Sequence, residues 1–127
     1  MEIETVFTTS APAALGPYSQ ALKAGGLVYC SGQIPVVPAT GEIEGATAPE
    51  QAKRAISNLA AVLEAAGSSL SRVLKTTVFL KNMDDFAAVN AVYAEMFGGT
   101  RPARSCVEVS RLPKGVLFEI DCIAAAE

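Results

Sequence analysis

The sequence has 127 residues, half of them hydrophobic and 18% charged, with a net charge of −3 and no histidine. This length suits one domain with a real core and is too short for two, so a single domain over residues 1–127 is expected. The missing histidine excludes Ser-His-Asp and Cys-His catalysis and most transition-metal sites, leaving carboxylates, arginine, hydroxyls, backbone groups and water to do any chemistry.

The basic residues are scattered and show no interleaving with aromatics, so no nucleic-acid partner is expected. No apolar run approaches the roughly 20 residues that span a bilayer, so no membrane partner is expected either. The N-terminal segment MEIETVF is acidic and lacks arginine, which argues against a secretory or transit peptide and predicts a cytoplasmic protein, with a mitochondrial location left open. Cys30, Cys106 and Cys122 have no CxxC spacing and read as free thiols in a reducing compartment, with no zinc site. So apolar a composition is rich for a small monomer, and a subunit interface would account for the excess.

In chain order, residues 2–8 read as a modest first strand, and residues 11–16 as a Pro/Ala/Gly linker. Residues 16–23 turn into a short second strand, and Gly25-Gly26 is a hairpin signal. Residues 27–30 form a buried strand ending in Ser31-Gly32-Gln33. There a glycine permits close backbone approach and two side chains offer hydrogen bonds, although ordinary strand termination is the favoured reading of the tripeptide taken alone. Thr47-Ala48-Pro49-Glu50 is a capping box with proline in the first turn. Ala52, Ile56, Leu59, Leu63 and Ala66 then make one apolar helical stripe that Gly67 ends, with Lys53, Arg54, Ser57 and Glu64 on a solvated face.

Residues 73–80 are apolar on both faces, interrupted by Lys75, and predict a central strand covered on both sides. Asn82 and Asp84-Asp85 start a second helix whose buried stripe is Phe86, Val89, Tyr93 and Phe97, stopped by Gly98-Gly99; Asn90 lies at the stripe's edge. Two strands close the chain. In residues 104–109, Arg104, Cys106 and Glu108 alternate with Ser105, Val107 and Val109. In residues 116–124, Phe118, Ile120, Cys122 and Ala124 form an apolar face opposite Leu117, Glu119, Asp121 and Ile123. Arg104 and Glu119 are both expected to leave the core side. Such a pair is either a surface ion pair worth about 0–1 kcal/mol or a site for a small carboxylate, which arginine grips bidentately. Helix–strand alternation in the middle predicts an α+β fold: a mixed sheet, both helices on one face, and the other face awaiting another subunit.

Taken in order, GPYSQA (16–21), SGQIP (31–35), RPARSCVEVSRLPKG (101–115) and FEIDCIA (118–124) resemble the RidA/YjgF family of reactive enamine/imine deaminases. The likeness extends over nearly the whole chain. It implies a chorismate-mutase-like fold with a six-stranded sheet, its last strand lying between the third and fourth, and a homotrimer around a central barrel with ligand clefts between subunits. The implied activity is cofactor-independent 2-iminobutanoate/2-iminopropanoate deamination, converting 2-aminoacrylate or its imine to a 2-oxo acid and ammonia. Residue by residue, the resemblance makes Arg104 the holder of the substrate carboxylate and Glu119 the carboxylate that positions water, the two standing near each other in the cleft. Cys106 and Gly32 are implied as backbone contacts and Asn90 as a cleft wall. Tyr18 is implied to reach in from the neighbouring chain, and Ser31 to be a further hydrogen-bond donor. A nucleophilic role for Cys106 is disfavoured, because no base is at hand and imine hydrolysis needs no covalent capture. The alternatives are a non-catalytic regulatory protein that binds 2-oxo acids or other carboxylates, and an RNA-directed translation inhibitor.

Overall fold

A computed structural model describes residues 1–126. Helix α1 (Ala48–Ala65) begins at the capping box: the Thr47 hydroxyl accepts from the Glu50 amide, and the Glu50 carboxylate accepts from the Thr47 amide. All five stripe residues are buried. Past its end, Gly67 at φ 80° lets the Ser68 amide reach back to the Leu63 carbonyl and its own amide to Glu64, closing the helix with a Schellman motif. Helix α2 (Phe86–Phe97) begins one turn later than its charges suggest. Asn82 instead caps a preceding turn, Met83–Asp85, by accepting from the Asp84 amide.

Strands β1 (Glu4–Val6), β2 (Ala21–Ala24), β3 (Leu27–Gln33), β4 (Val73–Leu80), β5 (Ala103–Glu108) and β6 (Phe118–Ala125) form one sheet in the order β1-β2-β3-β6-β4-β5. The last strand lies between the third and fourth, as the resemblance implies. Gly25 and Gly26, both at positive φ, make the two-residue β2–β3 turn. Among the described residues only β4 and β5 pair in parallel, joined by α2 as a crossover. Both helices cover one face. Phe118, Ile120, Cys122 and Ala124 of β6 meet Thr76, Val78 and Leu80 of β4 and Val28 and Cys30 of β3 beneath them. Cys30 and Cys122 are cross-strand partners inside this core.

The expectation that β4 is covered on both sides is not met within the chain. Thr77 and Phe79 stay half-buried, and Tyr29 and Val107 remain exposed on the same open face. A β-bulge between Val73 and Lys75 shifts the alternation, so Val73 and Thr76 both point inward while Leu74 is turned out. Arg54 also departs from its solvated reading. It is half-buried and donates to Asn58 Oδ1 at 2.8 Å. Fully buried Asn58 in turn donates to the carbonyls of Ile34 (3.0 Å) and Val36 (2.8 Å), tying the loop after β3 to α1. Gln51 extends that tie, donating to the Gly45 carbonyl and accepting from the Leu117 amide.

Candidate active site

Strand β5 alternates as its sequence says, but its faces are reversed from the expectation. Parallel register sets Arg104 beside Thr76 and Cys106 beside Val78, both on the helix-covered side. Arg104 therefore faces α2. Its Nη1 donates to Asn90 Oδ1 at 2.7 Å, and its guanidinium carbon sits 4.8 Å from the Tyr93 ring centroid and 5.5 Å from that of Phe86. Tyr93 is itself fixed, its hydroxyl 2.8 Å from Thr76 Oγ1 and its ring stacked on Phe97 at 4.4 Å. Phe86, Asn90 and Tyr93 recur at helical spacing, so one face of α2 builds the whole cradle.

This cradle holds a cation with neutral partners, an amide oxygen and two π faces. No carboxylate among the described residues forms an ion pair with Arg104. The charge is thus positioned without being neutralised, which is what capture of an anionic ligand requires. A cavity of about 700 Å3 opens here, walled by Asn90, Tyr93, Thr100, Arg101, Pro102 and Arg104 among others. Cys106 is half-buried beside it. Burial pushes its thiol up, and Arg104 opposes this only in part, so the thiol stays protonated near neutral pH.

Glu119 lies on the opposite face, paired across β6–β4 with Phe79. The expected proximity of Arg104 and Glu119 is therefore not found within one chain. Period-two geometry puts Thr76 with Arg104 on one side and Phe79 with Glu119 on the other. Glu119 instead covers Gly32: a Cβ at position 32 would land on its carboxylate. The register shift between Cys30 and Gln33 marks this close approach. Burial, and then the like charge of Asp121, push the Glu119 carboxyl above its ordinary range.

Tyr18 and Gly32 belong to a second cavity, of about 410 Å3, that also borders Gln20, Gln33, Pro113 and Lys114. Tyr18 is exposed. Gln20 anchors the approach to this cavity, exchanging hydrogen bonds with both backbone groups of Thr8 and donating to the Pro12 carbonyl. The Ser31 hydroxyl donates to the Ser19 carbonyl at 2.6 Å, which commits its proton within the chain. The predicted site residues thus fall into two groups: Arg104, Asn90 and Cys106 at the α2–β5 end, and Tyr18, Ser31, Gly32 and Glu119 around β3 and β6. Sequence reasoning took Phe86 and Tyr93 for plain core, although their spacing with Asn90 was the available signal.

Among the described residues, no cluster of three or more His, Cys, Asp or Glu could hold a metal, and no helix is long and apolar enough to cross a membrane. A family model described as Endoribonuclease L-PSP matches residues 8–126. A RutC family protein of Pyrococcus horikoshii is 55% identical over 124 residues, covering 98% of both chains. The 2-iminobutanoate/2-iminopropanoate deaminase of Escherichia coli K12 is 50% identical over 124 residues, 95% of this chain and 96% of its own. The crystal structure of Escherichia coli TdcF with bound serine superimposes with a TM-score of 0.91 at 44% identity, covering 98% of this chain and 99% of that one.

Proposed function

Because the chain belongs to the RidA/YjgF family, also described as Endoribonuclease L-PSP, we propose that it is a cofactor-independent deaminase of short 2-imino acids and their 2-aminoacrylate tautomers. The observation that carries this reading is the Arg104 guanidinium, aimed by Asn90 and two aromatic rings, with no ion-pair partner among the described residues. A relative at 50% identity bears the deaminase name, and a structural relative holds serine, a small 2-amino acid.

Imine hydrolysis asks little of a protein. The carbon is already electrophilic, so fixing the acid and a water at attack distance, with one proton carrier, suffices. Arg104 grips the carboxylate. Water adds to C2 and passes a proton to Glu119, which returns one to nitrogen. The hydroxyl of the tetrahedral adduct then gives up its proton, Glu119 hands a second proton to nitrogen, and the C–N bond breaks to release ammonia and the 2-oxo acid. A carboxyl with a raised pKa is suited to both halves of that transfer. In the proposal Asn90 holds Arg104 in place, Cys106 and Gly32 offer backbone groups, and Tyr18 closes the cleft.

Since Arg104 and Glu119 occupy opposite sheet faces, both reach one ligand only where two chains meet. In the proposal these two chains are neighbours in the homotrimer that the family resemblance implies, with Arg104, Asn90 and Cys106 from one subunit and Tyr18, Gly32 and Glu119 from the other. The test generates 2-aminoacrylate with a serine/threonine dehydratase and follows its disappearance. Wild type accelerates the loss, while Arg104→Ala and Glu119→Gln, each alone, slow it by about 10²-fold. Trimers refolded from a mixture of the two variants regain activity at clefts that pair two intact halves. An unaccelerated wild-type reaction overturns the deaminase reading; mixed trimers as inactive as their parents overturn the shared site.

The family description and the names of some solved relatives, endoribonuclease and translation initiation inhibitor, stand behind an RNA-directed reading. A net charge of −3, scattered basic residues and the lack of histidine oppose it. A carboxylate sensor without catalysis shares the Arg104 cradle, and Glu119→Gln separates it: in a sensor, neither ligand binding nor imine loss changes.

A further inference from the structure

The cavity that Arg104 walls is lined by a second arginine, Arg101, three residues upstream and exposed. No acidic side chain stands among the residues around this cavity, and neither arginine forms an ion pair with a described residue. Two arginines that form no ion pair with a described residue thus line one space of about 700 Å3.

The root of the second arm is held on both sides. Thr100 ties its amide (3.4 Å) and hydroxyl (2.7 Å) to the Phe97 carbonyl at the end of α2. On the other side Pro102 fixes its own φ and restricts Arg101 to extended backbone. Three residues of chain keep the two arginine Cα atoms at most about 10 Å apart. Backbone fixed in this way lowers the ordering cost of placing a second charge at the cavity mouth.

A 2-imino monocarboxylate has use for only one guanidinium. We propose that this cavity selects dicarboxylic 2-imino acids, the imines of acidic amino acids, with Arg104 gripping the 1-carboxylate and Arg101 the distal one. Naming the ligand an imine rests on the deaminase reading; its two negative charges rest on the cavity alone. The reaction is unchanged: water adds across C=N, the C–N bond breaks, and a 2-oxo dicarboxylate and ammonia leave. The distal carboxylate takes no part in bond making.

The test compares equilibrium binding of two stable products, 2-oxoglutarate and 2-oxobutanoate, to the full-length protein at low salt. Wild type is expected to favour the dicarboxylate about tenfold, which corresponds to about 1.4 kcal/mol. Arg101→Met brings the ratio to about one, and Arg101→Lys, a point charge without the fork, leaves it in between. Because Arg101 is exposed, raising salt toward 1 M, where the screening length shrinks to about 3 Å, also erodes the preference. A wild-type ratio of one or less, or a ratio unmoved in Arg101→Met, overturns the proposal. Failure of the deaminase reading shows separately, as imine loss that the protein accelerates for neither acid, and it leaves the binding ratio as expected.

Discussion

The two faces of the sheet differ in how complete they are. Under α1 and α2, Phe118, Ile120, Val78, Leu80 and Leu59 are fully or almost fully buried, and two polar side chains among them are paired: Thr76 with Tyr93, Asn58 with Ile34 and Val36. The other face carries Tyr29 and Val107 exposed and Phe79 half-buried, and it holds two carboxyls, Glu119 and Asp121, that burial pushes up. The covered face supplies stability from within one chain. The open face combines apolar area with strained ionisation, a combination that suits an interface and a reacting group better than a solvated surface. The proposed site takes one half from each: a cation cradled on the covered side and a carboxylate on the open one.

The comparison can be broken most forcefully in the core. Leu59→Ala should cost about 2–5 kcal/mol, read by denaturant unfolding, and the cost should not vary with protein concentration. Tyr29→Ala should cost little at high dilution and more as concentration rises, because its loss falls on association between chains. If both costs are independent of concentration, the open face is merely surface.

Gly32→Ala probes the open face alone. The new Cβ displaces the Glu119 carboxylate, and since that is the end of a flexible side chain the fold adapts for within about 1 kcal/mol. Imine hydrolysis should nevertheless fall by about 10²-fold, as the water-positioning group is moved by about an ångström or more. Full activity in this variant would remove Glu119 from the reaction.

The smallest effect is in pH dependence. A folded Glu119 pKa raised above its ordinary 4.5 means that the folded state binds the proton more tightly than the unfolded one. Wild-type stability therefore falls as pH rises from about 4.5 through the folded pKa, and is level beyond it. Glu119→Gln removes this decline. Its thermal midpoint should match wild type in acid and exceed it at neutral pH, at the expense of catalysis. An advantage that appears in acid and vanishes at neutral pH would reverse the sign and show that the carboxylate is stabilised where it sits.

Much of the fold was legible in the sequence for definite reasons. The Thr47–Glu50 box and Gly67 bracket α1 by satisfying its end groups, and Gly25-Gly26 dictates a two-residue hairpin. The β6 alternation names its own inner face because Phe118 and Ile120 contrast with Glu119 and Asp121. The buried amides of Gln20, Asn58 and Gln51 were not legible, since they bind backbone groups of distant loops. Gln20 reaches Pro12 across 8 residues, Asn58 reaches Ile34 across 24, and Gln51 reaches Leu117 across 66.

Local order, then, was determined by the sequence itself: where α1 starts and stops, which strands turn back, and, through the family resemblance, that Arg104 and Glu119 are the residues to test. Only the tertiary structure decided which way Arg104 faces. Alternation has period two and reads the same when a strand is turned over, and edge strand β5 has no strongly apolar face to break the tie. The tie is broken by pairing with β4 and by the aromatic face of α2 laid across it, which gives a guanidinium a better place among Tyr93, Phe86 and Asn90 than on the open side.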